Sequence, residues 1–383
     1  MFKVLIACYD KWDTLAEVPF MLKNAGCQVD VYCGPNSWLL SNNYHDQWLP
    51  SQPGLDEFRD GLMDIVRQSS YDWVILGDDP LIKYMNEVVG EDLFTKILPL
   101  TKIENRYMLS SKEGFSRFCV THDITTPGYA IYNNKKDLEI IRGLTFPVIN
   151  KLDFSWGGTD MFISHSIEEF ESRLDQIPEN QNVLIQEYIT GEEVRTDSLF
   201  FNGELVSYFS ARVLEHTKNI FSYTTRRAYL NDTSLEKDLI NLGRKLGLNG
   251  FANITYLVDH KTGKNHLIEV DPRPNSWMPL SRYIGGNSFT NGVKRIISGE
   301  FNNGFPGMQM KSDKVELSLF YKDIRRVLWN KDRKGLARWI FNLNGYWRFI
   351  PTYDMKLTRR IIREVWNEVF MYKWKRLTGQ IKD

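Results

Sequence analysis

The stretch HLIEVDPRPNSW, residues 266–277, sets two acids one residue apart, Glu269 and Asp271, and then fixes Arg273 between two prolines. HLIEV has the composition of a strand, and strand side chains alternate faces. Both carboxylates therefore point the same way, about 6–7 Å apart at strand rise. Like charges at that distance repel unless a cation stands between them. Two readings of this stretch alone are open: a strand end with solvated acids and a surface arginine, or a cation site with an arginine held beside it.

Two earlier stretches carry complementary chemistry. In FPVINKLDFSWGGTDMFI, residues 146–163, Lys151 comes off an apolar run. Gly157, Gly158 and Thr159 follow six residues later, where small residues let backbone amides approach an anion. In VLIQEYITGEEV, residues 183–194, an apolar strand ends in Glu187-Tyr188-Ile189. Such a linker offers backbone donors and acceptors beside aliphatic walls, which is what a flat heteroaromatic ring requires. Glu193 lies beyond the Gly191 turn and can accept from two hydroxyls. GxGxxG, GxxxxGK[ST] and HExxH are absent, and TGKN at 262–265 lacks the upstream glycine of a P-loop.

The serial order of Lys112, Lys151 with its Gly-Gly-Thr, QEYITGEE and EVDPR resembles the ATP-grasp superfamily over about residues 105–305. EVDPR is similar to the Glu-x-Asn-Pro-Arg strand of the carbamoyl-phosphate synthase and biotin carboxylase type. The resemblance implies an ATP-dependent carboxylate–amine ligase working through an acyl phosphate. ATP and Mg²⁺ (or Mn²⁺) are its implied cofactors. Lys112 and Lys151 would contact phosphates under a lid of Gly157, Gly158 and Thr159. Glu187 and the Ile189 backbone would hold adenine, and Glu193 the ribose. Glu269 and Asp271 would bind the metal and Arg273 would face the transferring group. Arg212, on SYFSARVLE, resembles the catalytic basic residue that the family points at the phosphates, with an exposed strand arginine as the other reading.

Three positions depart from the family pattern. Asp271 stands where Asn is usual, and Leu152 replaces a proline. An acid expected near Thr255 is missing, which leaves Asn253 as the substitute oxygen ligand. That gap also admits a nucleotide-binding protein without catalysis, and the family includes carboxylases and carbamoyl-transfer enzymes. The implied partners are small-molecule or envelope-linked carboxylates and amines rather than nucleic acid, with a homodimer as the expected assembly.

Positioning these residues requires an α/β plus α+β architecture. FKVLIACYD and CQVDVYCG read as parallel strands around a helix near 14–25. A helix over 55–68 precedes a buried strand in DWVILGDDP. Asp78 and Asp79 end that strand, as a ligand site or as a helix cap. These elements predict an N-terminal α/β domain over 1–104. Residues 105–310 alternate helices with antiparallel strands, including a hairpin at Asn202-Gly203. Arg226 and Arg227 fall in a stretch expected to loop over the site.

Composition bounds the rest. Lys and Arg number 48, as do Asp and Glu, yet residues 311–383 hold 18 basic against 8 acidic residues. Five of the eleven tryptophans lie there, at 329, 339, 347, 366 and 374, on helical-looking segments. This basic, Trp-rich region predicts either a packed helical subdomain or a peripheral contact with anionic lipid or a polyanion. The cysteines form no CxxC pair, which predicts reduced thiols and a cytoplasmic protein. No apolar run reaches the length of a membrane span.

Overall fold

The computed structural model describes residues 1–154, 161–177, 182–286 and 288–377. The chain opens with a parallel sheet of β1 (Lys3–Cys8), β2 (Gln28–Cys33), β3 (Gln47–Pro50) and β4 (Trp73–Leu76), ordered β3-β2-β1-β4. β1 and β2 are buried almost throughout because other elements cover both sheet faces, so their sequences run apolar without alternation. The helix Leu55–Gln68 matches the predicted span and buries Phe58, Leu62 and Val66 at helical spacing. Beyond β4 the helix Asp79–Val88 begins with Asp78 as its cap, the capping alternative of the sequence reading: the carboxylate accepts from the Leu81 amide at 2.9 Å.

Two antiparallel sheets follow. The smaller contains β5 (Tyr129–Tyr132), β6 (Val148–Leu152), β7 (Ile163–Ser164) and β8 (Val183–Glu187), ordered β5-β8-β6-β7. It packs its own core of Ile141, Val148, Phe170, Val183 and Ile185, separate from the main one. The larger contains β9 (Gly191–Phe201), β10 (Glu204–His216), β11 (Thr224–Leu230), β12 (Gly250–Asp259), β13 (Asn265–Asp271) and β14 (Lys314–Ser318). Its order is β13-β12-β9-β10-β11-β14. β9 and β10 join through Asn202 and Gly203, both at positive φ, as the Asn-Gly turn requires.

Two expectations change here. Arg226 and Arg227 lie on β11 rather than on a loop, paired to β10 and β14. The basic segment also enters the large sheet, because β14 pairs with β11 in the register Arg227↔Leu317. Beyond it, Trp339 is buried and donates to Asp323 at 2.8 Å, and Asp323 also accepts from Thr225 and Arg326 at 2.9 Å each. Other tryptophans of the region stay exposed: Trp347, Trp366 and Trp374. The C-terminal helix Met355–Leu377 packs Leu357, Ile361, Val365 and Val369 on Ala16 and Trp38 of the N-terminal unit. All four cysteines are buried free thiols. No described helix is long and apolar enough to cross a membrane.

Candidate functional site

A cleft of about 970 Å³ opens between the two antiparallel sheets. At one end Ile149, Leu184, Ile189, Leu257 and Ile268 form an apolar slot. The strand-to-linker transition at Glu187 arises because Glu187 and Tyr188 give their amides to Gly128 and Pro147, each at 2.8 Å. Ile189 lies just past them, lining the slot. The Glu187 carboxylate accepts from the Thr145 amide at 2.8 Å and fills the space where a Cβ at Gly128 would stand.

Lys112 is the first residue of the helix Lys112–Thr121, which Ser111 caps. Its ammonium donates to the Asp153 carbonyl at 3.2 Å. Burial lowers its pKa, while Glu269, Asp153, Asp271 and Asp79 favour its charge. Lys151, on β6, donates to Gln186 Oε1 at 2.7 Å. Desolvation lowers it to about 8; Glu269 opposes that shift and Lys112 adds to it. The two lysines of the expected phosphate site thus share one field with the acids of β13.

Cross-strand pairing builds the acidic side. Asn253 lies opposite Asp271, and Thr255 opposite Glu269, so all four side chains share a face. Asp271 is raised to about 7 by burial first, then by Glu269 and Asp79, against Arg273 and Arg195. Arg273 grips Asp79 with two guanidinium nitrogens, Nη2 at 2.7 Å from Oδ2, and lies 3.9 Å from Asp271. Its ring-stacked side lies over Trp12 at 4.7 Å. Asp78 is therefore the cap and Asp79 the residue that faces the site.

The donor set suits a hard divalent cation. Glu269 and Asp271 supply carboxylates, and the buried Asn253 Oδ1 has no hydrogen-bond partner among the described residues. An orphaned buried acceptor beside two like charges is an arrangement a cation would satisfy. No group of three or more His, Cys, Asp or Glu forms a metal site among the described residues. Two acids and an amide oxygen would leave the remaining positions to phosphate and water, as Mg²⁺ prefers.

Sequence reasoning missed one participant, Arg195, and left two others, Arg227 and Asp79, without a role. Arg195 pairs with Glu193, so Glu193 is engaged, and its Nη1 lies 3.9 Å from Glu269. The Glu193–Arg195 spacing on a strand was the available signal, since alternation puts both on one face. Arg227 is buried and holds Asp197 at 3.1 Å, with Tyr229 and Asn275 each 2.7 Å from the same carboxylate. Asp79 was seen but left unassigned. Arg212 is a correction: it pairs across the ladder with Val194, on the opposite face from Arg195. There it is half exposed and bound to Glu192 at 2.9 Å, outside the cleft. Gly157, Gly158 and Thr159 lie outside the described residues.

The other end of the cleft joins distant parts of the chain. Trp12 and Lys11 come from the loop after β1, Tyr223 precedes β11, and Tyr321, Lys322 and Arg325 belong to the helix Phe320–Trp329. Lys322 lies 3.3 Å from Asp13 and 4.5 Å from the Tyr223 ring.

No family model matches the chain. It is 26% identical over 254 residues to the carbamoyl phosphate synthase large chain of Clostridium perfringens (strain SM101 / Type A), across 62% of this chain and 23% of that protein. The chain thus spans less than a quarter of the length of that curated relative. Among solved structures it resembles an L-amino acid ligase from Bacillus licheniformis at a TM-score of 0.57 and 14% identity, covering 79% of this chain and 76% of the other. The biotin carboxylase domain of the Hydrogenobacter thermophilus 2-oxoglutarate carboxylase, solved with MgADP and bicarbonate, gives 0.57 and 14%, covering 80% and 71%.

Proposed function

We propose, from the ATP-grasp fold that this chain has in common with those neighbours, that it is an ATP-dependent ligase joining a carboxylate to an amine. The observation that carries the reading is the set of desolvated Lys112 and Lys151 facing Glu269, Asp271 and Asn253 at the mouth of an apolar slot. The slot takes adenine between aliphatic walls, with Glu187 and the Ile189 backbone at its edge and Glu193 toward the ribose. Lys112 and Lys151 neutralise the phosphates. Glu269, Asp271 and Asn253 hold Mg²⁺, or Mn²⁺, whose contribution is to offset phosphate charge.

The reaction needs positioning more than a covalent enzyme nucleophile. A substrate carboxylate oxygen attacks the γ-phosphorus and ADP departs, leaving an acyl phosphate. The amine then attacks the acyl carbon, phosphate leaves with the bonding pair, and the amine loses a proton. Arg273, oriented by Asp79, stabilises the negative charge on the group in transfer. The aromatic and basic end of the cleft, with Trp12, Tyr223, Tyr321 and Lys322, receives the carboxylate, on a small molecule or an envelope-linked one. A second reading, carboxyphosphate or carbamoyl chemistry from bicarbonate, is favoured by the similarity to the carbamoyl phosphate synthase large chain.

Hydroxylamine trapping tests the class without knowing the amine. With Mg·ATP and a panel of carboxylates, a substrate yields its hydroxamate in step with ADP. ADP release that depends on bicarbonate alone selects the second reading. Nucleotide binding with no ADP release under any carboxylate would make the chain a binding protein, and absence of Mg·ATP binding would remove the proposal altogether.

A further inference from the structure

The C-terminal helix Met355–Leu377 carries two apolar stripes. Leu357, Ile361, Val365 and Val369 recur every four residues and are buried against the N-terminal unit. One position on, Ile362, Trp366, Phe370 and Trp374 recur at the same spacing and face solvent. Trp366 and Phe370 are each 69% exposed, an expensive arrangement for large aromatics on a soluble surface.

The charges of this helix are sorted by side. Glu368 turns toward the body, where Arg325 and Tyr321 hold it, the latter at 3.2 Å, and Glu364 is half-buried. Between Met355 and Met371 the exposed polar residues are Lys356, Arg359, Arg363 and Asn367, and neither acid of the span, Glu364 or Glu368, is among the exposed residues. In sequence, Lys373, Lys375 and Arg376 continue the basic run.

We propose that this face of the helix docks on an anionic lipid surface. Trp366 and Phe370 enter the boundary between headgroups and acyl chains, and Arg359 and Arg363 lie against lipid phosphates. The contact is peripheral, since the helix is too polar to span a bilayer. Charge decides between this occupant and a second copy of the chain. A two-fold pairing would set the basic face against itself, with no fully exposed acid on the helix to answer it. An anionic bilayer meets the aromatic stripe and the cations together. The inference is independent of the ligase reading.

The test is co-sedimentation of the full chain with vesicles of phosphatidylglycerol and phosphatidylcholine, against phosphatidylcholine alone, at low and high salt. The expected result is pelleting with anionic vesicles only, weakened but retained at high salt. At roughly fivefold per basic residue, Arg359→Gln with Arg363→Gln lowers apparent affinity about 25-fold. Trp366→Ser with Phe370→Ser removes the salt-resistant part. These side chains are exposed, and an unchanged thermal midpoint verifies that the variants fold. Failure to pellet with anionic vesicles at low salt overturns the proposal, as does binding that neither double substitution alters. A concentration-dependent dimer lost in Trp366→Ser/Phe370→Ser, without vesicle binding, assigns the face to a second copy instead.

Discussion

Raising the pH from 7 to 9 should weaken binding of a non-hydrolysable ATP analogue about tenfold, through Lys151. Burial lowers its ammonium to about 8, and the favourable field of Glu269 does not offset that desolvation. A group with this value is about 90% protonated at pH 7 and about 10% at pH 9. If its Nζ contacts a phosphate oxygen, the bound form must be charged, so affinity falls with the protonated fraction. Stability of the free protein moves the other way. Between about 8 and 10.5 the unfolded chain binds more protons at this position than the folded one, so the contribution of Lys151 to stability rises with pH. Calorimetry at pH 7, 8 and 9 without divalent cation measures the effect while keeping the metal equilibrium out of it. Lys151→Arg stays charged throughout this range and should flatten the profile. A wild-type affinity that does not change from pH 7 to 9 would refute the assignment of Lys151 to phosphate. A fall surviving in Lys151→Arg would point instead to Asp271, raised to about 7, which gains its charge over the same range and repels the phosphates.

Glu269→Gln should abolish most of the Mg²⁺-dependent gain in nucleotide affinity, whereas Asp271→Asn should keep much of it, because it retains an oxygen and removes a charge that burial already disfavours. Titrating Mg²⁺ against each variant checks this, and equal loss in both would mean the metal shell is drawn wrongly. Asp79→Ala should strip the buried Arg273, 11% exposed, of its two-point partner at a cost of about 3 kcal/mol, near the low end for a broken buried pair because Asp79 is 20% exposed. With an unfolding entropy of about 0.8 kcal/mol/K for a chain this long, the melting midpoint should fall about 4 °C, and a scan showing no shift counts against the pair as a structural tie.

What was legible in the sequence was whatever local periodicity and turn chemistry decide. The helix Leu55–Gln68, the Asn202-Gly203 hairpin and the acid-bearing β13 all fall where apolar spacing and φ-permissive residues put them. β11 was hidden because TTRRAYL reads as polar loop. Its buried arginines pair with Asp197 and Glu316, distant in sequence, and with Glu215 on the adjacent strand. Arg212 shows the limit more sharply. Its strand was evident, but its face follows from the register with Val194, which only pairing across β9 and β10 determines. The burial of Trp339 likewise depends on Asp323, and the exposure of Trp366 on which stripe of its helix Ala16 and Trp38 happen to cover.

Why place two acids on one face and then answer them with an arginine already committed to Asp79? Arg273 cannot neutralise the site alone, because its two closest contacts go to Asp79 and Asp271 stands 3.9 Å away. Burial therefore pushes Asp271 up to about 7 and Lys151 down to about 8, each toward its neutral form. Opposite charges that would normally support each other are both held near the point of discharge. A free phosphate would charge the lysine and leave the acids repelling it; a free cation would charge the acids and leave the lysines repelling it. A ligand that brings cation and anion together restores both charges at once. Under the proposed function this makes metal and nucleotide binding mutually reinforcing, each raising the affinity of the other by the same factor. The pairing of desolvated lysines with crowded carboxylates then selects the complex over either of its parts.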